Sequence, residues 1–215
     1  NTTADYNTAV GYRASYANTT GFRNVALGAF TGQNVTTGTY NVAIGYSAGG
    51  ANGSNLSGAE NITIGGFSGT NITSANFNVA MGDSTLRNNT TGSNNTALGQ
   101  TALYNNTTAS NNTAVGYQAG KAITTSDLGV YVGAYAGLAV TTGARNTMVG
   151  VNAGASTTTG TGNTFIGGAS TGQGNGAGKA VTTGSKNTIL GTYDGNQHGL
   201  DIRTSSNNIV LSDGD

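Results

Sequence analysis

A five-residue string ending in an aliphatic residue and glycine, and beginning with asparagine in all but one copy, returns eleven times along this chain, and its spacing limits the possible folds more than any other feature. The glycines are Gly11, Gly28, Gly45, Gly65, Gly82, Gly99, Gly116, Gly133, Gly150, Gly167 and Gly191. Eight of the ten intervals between them are 17 residues, and the other two are 20 and 24. Asparagine stands four positions before ten of these glycines, at Asn7, Asn24, Asn41, Asn61, Asn78, Asn95, Asn112, Asn146, Asn163 and Asn187; the exception is Gly129. A degenerate twelfth copy, NIVLS at 208–212, has Ser212 in place of the glycine. Eight residues after most anchor glycines comes a Thr-Thr pair, as at 19–20, 36–37, 90–91, 107–108, 124–125 and 141–142.

A fixed short period identifies a stacked repeat, in which one unit cannot bury its own apolar face and neighbours must complete it. Seventeen residues are too few for a unit containing a helix, and no 3.6-residue periodicity or helix-capping pattern is present. Each unit reads as two short β-like runs and two turns. The expected fold is all-β, a parallel solenoid of about twelve coils, roughly 55 to 60 Å long at ~4.8 Å per coil.

Order carries this conclusion against composition. Val, Ile, Leu and Phe total 37 of 215 residues, below the ~20% level that signals disorder. Eight acidic and eight basic residues cancel, so the self-repulsion of charged disordered chains is missing. The charges stand singly, with no basic stripe for nucleic acid or an anionic membrane. No apolar stretch approaches the ~20 residues of a membrane helix. There is no cysteine, which removes disulfides and thiol chemistry.

Alternation along a strand sorts the columns by side. The residue before each anchor glycine and the one two places earlier are aliphatic or threonine, from Thr8 and Val10 to Ile209 and Leu211, and are assigned to the coil interior. Between them lie Ala9, Ala26, Ala43, Thr63, Ala80, Ala97 and Ala114, then Tyr131, Met148, Phe165, Ile189 and Val210. Strands apolar on both faces are usually covered on both, so these last five are expected to contact sister chains. The asparagine column suggests a ladder of amides, and the glycine column a positive φ or a close backbone approach.

NTAVG, NVALG, NVAIG, NITIG, NVAMG, NTALG, NTMVG, NTFIG and NTILG, with the TTG spacers, resemble the head repeats of trimeric autotransporter adhesins and the related repeats of bacteriophage tail fibres. The likeness covers nearly the whole chain. It implies a left-handed parallel β-roll with three chains joined around one axis. TTG spacers and tyrosine after the anchor glycine favour a phage fibre. SSNNIVLSDGD, at 205–215, looks like the segment that leads into the C-terminal chaperone module of such fibres and spikes. Residues 1–195 are thus read as the β-roll, and 196–215 as an irregular segment with the degenerate last coil. The uncapped entry at Asn1 to Tyr6 suggests a piece of something longer.

Function follows as expectation: a structural shaft or head of a homotrimeric tail fibre on a virion, or an extracellular adhesin, attaching to a host-surface glycan or protein receptor and joined to other fibre or particle proteins. No enzyme activity, cofactor, metal, nucleic acid or membrane insertion is expected. The single histidine, His198, lies near Asp194 and Asp201 in a stretch read as a polar loop. Calcium-binding β-rolls carry aspartate in every turn, which NTAVG does not; Asp213 and Asp215 are an isolated pair. The two insertions, GGANGSN and TGQGNGAGK, leave the coil at one corner, where solenoids often bind partners. Tyr12, Tyr46, Tyr117, Phe30, Phe67, Tyr135 and Tyr193 suit either sugar stacking or packing, where they shield a turn or sit between neighbouring chains. An ice-binding solenoid and a polysaccharide depolymerase are the competing functions. The first needs two outward threonines two residues apart, whereas Thr36 and Thr37 are adjacent.

Overall fold

The computed structural model describes residues 3–50, 55–168, 175–197 and 199–212. Eleven of the three-residue strands follow the anchor motif: β1 Thr8–Val10, β2 Val25–Leu27, β3 Val42–Ile44, β4 Ile62–Ile64, β5 Val79–Met81, β6 Thr96–Leu98, β7 Thr113–Val115, β8 Val130–Val132, β9 Thr147–Val149, β10 Thr164–Ile166 and β11 Thr188–Leu190. A small antiparallel pair, β12 Asn196–Gln197 and β13 Leu200–Asp201, precedes β14 Ile209–Leu211. Strands β1 to β11 and β14 form one twelve-stranded parallel sheet in sequence order. Register follows the repeat: Ala97 pairs with Ala114, and Ala114 with Tyr131. The fold is an all-β parallel solenoid of about eleven coils with no helix among the described residues.

Only one of the two expected β runs per coil is a strand. Around the Thr pairs the backbone still bonds up the stack, Thr90 N–H donating to Thr107 O at 2.8 Å and Thr107 N–H to Thr124 O at 3.1 Å. Yet among the described residues it makes a single isolated bridge, Val35 with Leu56. The reason is that the coil turns by left-handed residues, which interrupt extended backbone. In the coil from Asn95 to Asn111, φ is +119° at Gly99, +56° at Thr101, +49° at Leu103 and +61° at Asn111. Corners two, four and twelve residues after the anchor recur in this conformation throughout the regular coils, often on residues other than glycine.

The sides of the strand are the reverse of those expected. Residues between the aliphatic columns point into the coil: Ala26, Ala43, Ala80, Ala97 and Ala114 are buried, as are Tyr131, Met148, Phe165 and Ile189, and Val210 packs half-buried against the same core. The five residues expected to contact sister chains thus fill the interior of their own chain. A 17-residue coil is thin, so alanine on the sheet wall admits the opposite wall of the same coil. Larger residues enter where glycine makes room: a Cβ at Gly137 would lie 2.2 Å from the Tyr131 ring, and one at Gly154 would lie 2.3 Å from Met148 Sδ.

Elsewhere the volume comes from one of two corners. Leu86 and Leu103, four residues after their anchors, are buried beside Asn89 and Asn106. Where that corner is Gly32, Gly69, Gly120 or Gly137, the interior is filled from three residues later by Val35, Ile72, Ile123 or Val140. Around Ala26, Gly32, Ala43 and Gly49 small residues coincide, leaving an internal cavity of about 10 Å³.

Candidate interaction surface

The anchor columns are built for stacking. Asn95 shows the pattern: its Oδ1 accepts the backbone N–H of Asn112 at 3.0 Å, and its Nδ2 donates to Ala109 O at 2.9 Å. The same two bonds recur at Asn24, Asn41 and Asn163, with Asn41, Asn61 and Asn187 supplying the backbone N–H. One buried amide therefore satisfies both the strand entrance of the next coil and the turn after the Thr pair, where unpaired backbone groups would be costly. At Gly99 a Cβ would lie 2.7 Å from Gly116 O, at a φ of +119°. Position and dihedral both demand glycine there. These amides and glycines are engaged in stacking one coil on the next.

The Thr pair divides as its adjacency requires. Thr90 Oγ1 donates to Thr107 O at 2.9 Å, and Thr107 Oγ1 to Thr124 O at 3.1 Å. Thr91, Thr108 and Thr125 face out. From Thr36 and Thr37 to Thr141 and Thr142 each pair thus presents one exposed threonine, whereas in the first coil Thr19 and Thr20 are both exposed.

With the alanine column inside, the residues on either side of it lie outside: an aliphatic column before the anchor glycine, and a column in which six of twelve residues are threonine. On β2 to β11 the residue before the anchor glycine is always aliphatic, and Met81 and Ile166, well inside the stack, are 42% and 43% exposed. No charged residue occupies either outward column of the twelve strands. An uncharged sheet face of this length, with one aliphatic column and one of mixed aliphatic residues and threonine, is the candidate for contact with a partner.

Beside it, on the corner just after the anchor glycine, aromatic rings pack between coils. Tyr12 meets Phe30 at 5.3 Å between ring centroids, Phe30 meets Tyr46 at 5.7 Å, and Tyr46 meets Phe67 at 5.3 Å, all edge to face. Tyr117 and Tyr135 repeat the contact at 5.2 Å. Arginines cover these rings: Arg13 lies over Tyr12 and Tyr16, and Arg87 over Phe67 and Tyr104. At the opposite edge of the strand, Arg23 lies among Tyr6, Phe22 and Tyr40 and donates to the Tyr40 hydroxyl. Sequence reading named the rings of the first corner and missed the arginines. The available signal was that Arg23 and Arg87 stand 17 residues before Tyr40 and Tyr104, one coil away in the same column.

Tyr193 shields a turn of its own chain: it is buried, with its hydroxyl donating to Leu200 O at 2.6 Å. His198, Asp213, Asp215 and part of each insertion, 51–54 and 171–174, lie outside the described residues. The acids flanking position 198 are engaged locally: Asp194 Oδ1 accepts Asn196 N–H at 2.8 Å, and Asp201 pairs with Arg203 at 2.7 Å. Hydrogen bonds from Arg203 hold the Asp201 carboxyl down at about 2. Among the described residues no three His, Cys, Asp or Glu side chains gather as metal ligands, and no helix is long and apolar enough to cross a membrane. No family model, no characterised protein and no solved structure matches the chain.

Proposed function

We propose that this chain is the solenoid shaft or head of a homotrimeric attachment fibre, of the kind carried by phage tails, in which three left-handed rolls associate side by side and display receptor-binding surfaces on a virion or cell exterior. The outward uncharged face, aliphatic in one column and mixed aliphatic and threonine in the other, carries this reading. Eleven steps at ~4.8 Å make it roughly 53 Å long, and with two columns its area is on the order of 500 Å², at the upper end of what a monomer exposes in one patch. Side-by-side copies remove that face from water, and the repeat keeps it in register along the whole length. The number three is what the likeness of the NTAVG repeats to adhesin heads and tail fibres implies. A low-charge rod whose polar columns are occupied in stacking suits a part that holds other surfaces at a distance.

Sedimentation velocity and native mass measurement of the full chain test it. A trimer is expected, and Leu98→Asp, which places a carboxylate on the outward column in mid-stack, should dissociate it while leaving the β circular dichroism signal. A monomer at micromolar concentration, or a trimer indifferent to Leu98→Asp, overturns the proposal.

A further inference from the structure

We infer that the corner running from Arg13 to Arg87 is a binding rail for an extended acidic saccharide, a deepening of the attachment reading above. Its parts form an unbroken series. The Arg13 guanidinium carbon is 5.6 Å from the Tyr12 centroid, the rings of Tyr12, Phe30, Tyr46 and Phe67 follow in contact, and the Arg87 guanidinium carbon is 4.9 Å from the Phe67 centroid. The two phenylalanines are half-buried buttresses. The two tyrosines they support are 65% and 51% exposed. Tyr46 keeps that exposure although coils cover it from both sides, so its ring is presented outward by the fold.

The chemistry selects the ligand. Four rings rise over three coil steps, about 14 Å along the axis, which suits a linear chain better than a compact ligand. Tyrosine offers an apolar ring with a polar tip, matching the alternating faces and hydroxyls of pyranose rings. Guanidinium pairs with carboxylate in a bidentate fork. Among the described residues neither Arg13 nor Arg87 lies within ion-pair distance of a carboxylate; the one pair present is Arg203 with Asp201. Two cations at the ends of an aromatic track, in a chain of zero net charge, favour an anionic polymer with widely spaced charges. Single-stranded nucleic acid also stacks on rings, but it brings a phosphate per nucleotide and calls for a continuous basic groove.

Isothermal titration of the full chain tests the rail, with hexasaccharides of hyaluronan and unsulfated chondroitin, whose carboxylates fall on alternate sugars, as probes, and cellohexaose and oligothymidylate as comparisons. At least one acidic oligosaccharide should bind. Tyr46→Ala and Arg87→Gln should each weaken that binding about tenfold, and Arg145→Gln, away from the rail, should not. The inference fails if no acidic probe binds at millimolar concentration, if cellohexaose or oligothymidylate binds as well, or if the rail variants bind unchanged. It also fails if Tyr46→Ala breaks the oligomer, which would place the ring between copies. Mass measured on the same samples separates the two readings, since a trimer that ignores every saccharide removes the rail alone, and a saccharide-binding monomer removes the trimer alone.

Discussion

The Tyr131 ring occupies the space that a side chain at Gly129 would need: a Cβ built there would lie 2.4 Å from ring atoms. One coil has thus given up the anchor asparagine to admit the largest residue of the core. Gly129→Asn should cost about 2 kcal/mol, because overpacking of a filled core typically costs 1 to 3. With Tyr131→Ala also present, the coil regains the Asn and Ala arrangement seen at Asn95 and Ala97, and the asparagine should become neutral or stabilising. Denaturant unfolding of the four members of this cycle, at one protein concentration, measures the coupling. Additive effects would mean that the two positions do not compete for volume.

The two-corner rule makes a similar statement about Leu86. Its side chain is buried with Ala80 on the facing wall, and Asn89 three residues on bonds Gly92 O at 2.8 Å. Leu86→Gly should cost about 3 kcal/mol, the usual range for emptying a buried leucine site. Adding Asn89→Ile copies the solution at Gly69 and Ile72, where a Cβ on the glycine would sit 2.8 Å from Ile72 Cδ1. Thermal or urea unfolding should show at least half of the loss restored. The remainder reflects Asn106 Nδ2, which donates to Asn89 Oδ1 at 3.2 Å and loses that partner.

Columns, period and register were readable from the residues because each depends on spacing alone. Thr8 and Val10 share a side because strand residues alternate, and Ala97 meets Ala114 because they are 17 apart. Which side faces inward depends on volume, and there the reading failed. Leucine and valine look like core formers and alanine like a gap, but a coil this thin takes alanine on its sheet wall and fills its width from Leu86 or Ile72 across the turn. The corners were hidden for another reason. Arg13, Phe30 and Leu103 have positive φ, a conformation that side chains of these types rarely announce, since the stack imposes it. The partners of Arg87 lie 20 residues earlier and 17 later; the second is one period away in the same column, but the first is offset by three positions and becomes visible only once the corner's geometry is known.

Imposed corners leave strain that can be relieved. Leu128 is exposed at a φ of +62°, in the column where Asn94 and Asn111 hold +59° and +61°. The left-handed conformation costs most side chains roughly 1 to 2 kcal/mol and asparagine much less. Leu128→Asn should therefore stabilise the chain by about 1 kcal/mol, read as a rise in unfolding midpoint at unchanged oligomeric state. A decrease would show that the leucine side chain is covered in the assembled protein.

Tyr131 also supplies a pH signature. Its ring is completely buried, and among the described residues its hydroxyl has no hydrogen-bond partner of good geometry. Burial pushes its pKa up to about 12 from the ordinary 10.0, against the opposing influence of the Ser126 and Asn146 side chains. Because the folded value is raised, the unfolded chain releases this proton first. Folding stability from this group is complete below about pH 10 and falls as pH rises toward 12, by on the order of 2 kcal/mol. Tyr131→Phe keeps the ring and removes the unpaired hydroxyl, so at pH 7 it should be neutral or up to about 1 kcal/mol more stable. The gap should widen between about pH 10 and pH 12, where only the native residue ionises on unfolding. Unfolding midpoints of the two proteins across that range check it, and parallel curves would mean that the hydroxyl reaches water or a partner in the folded state.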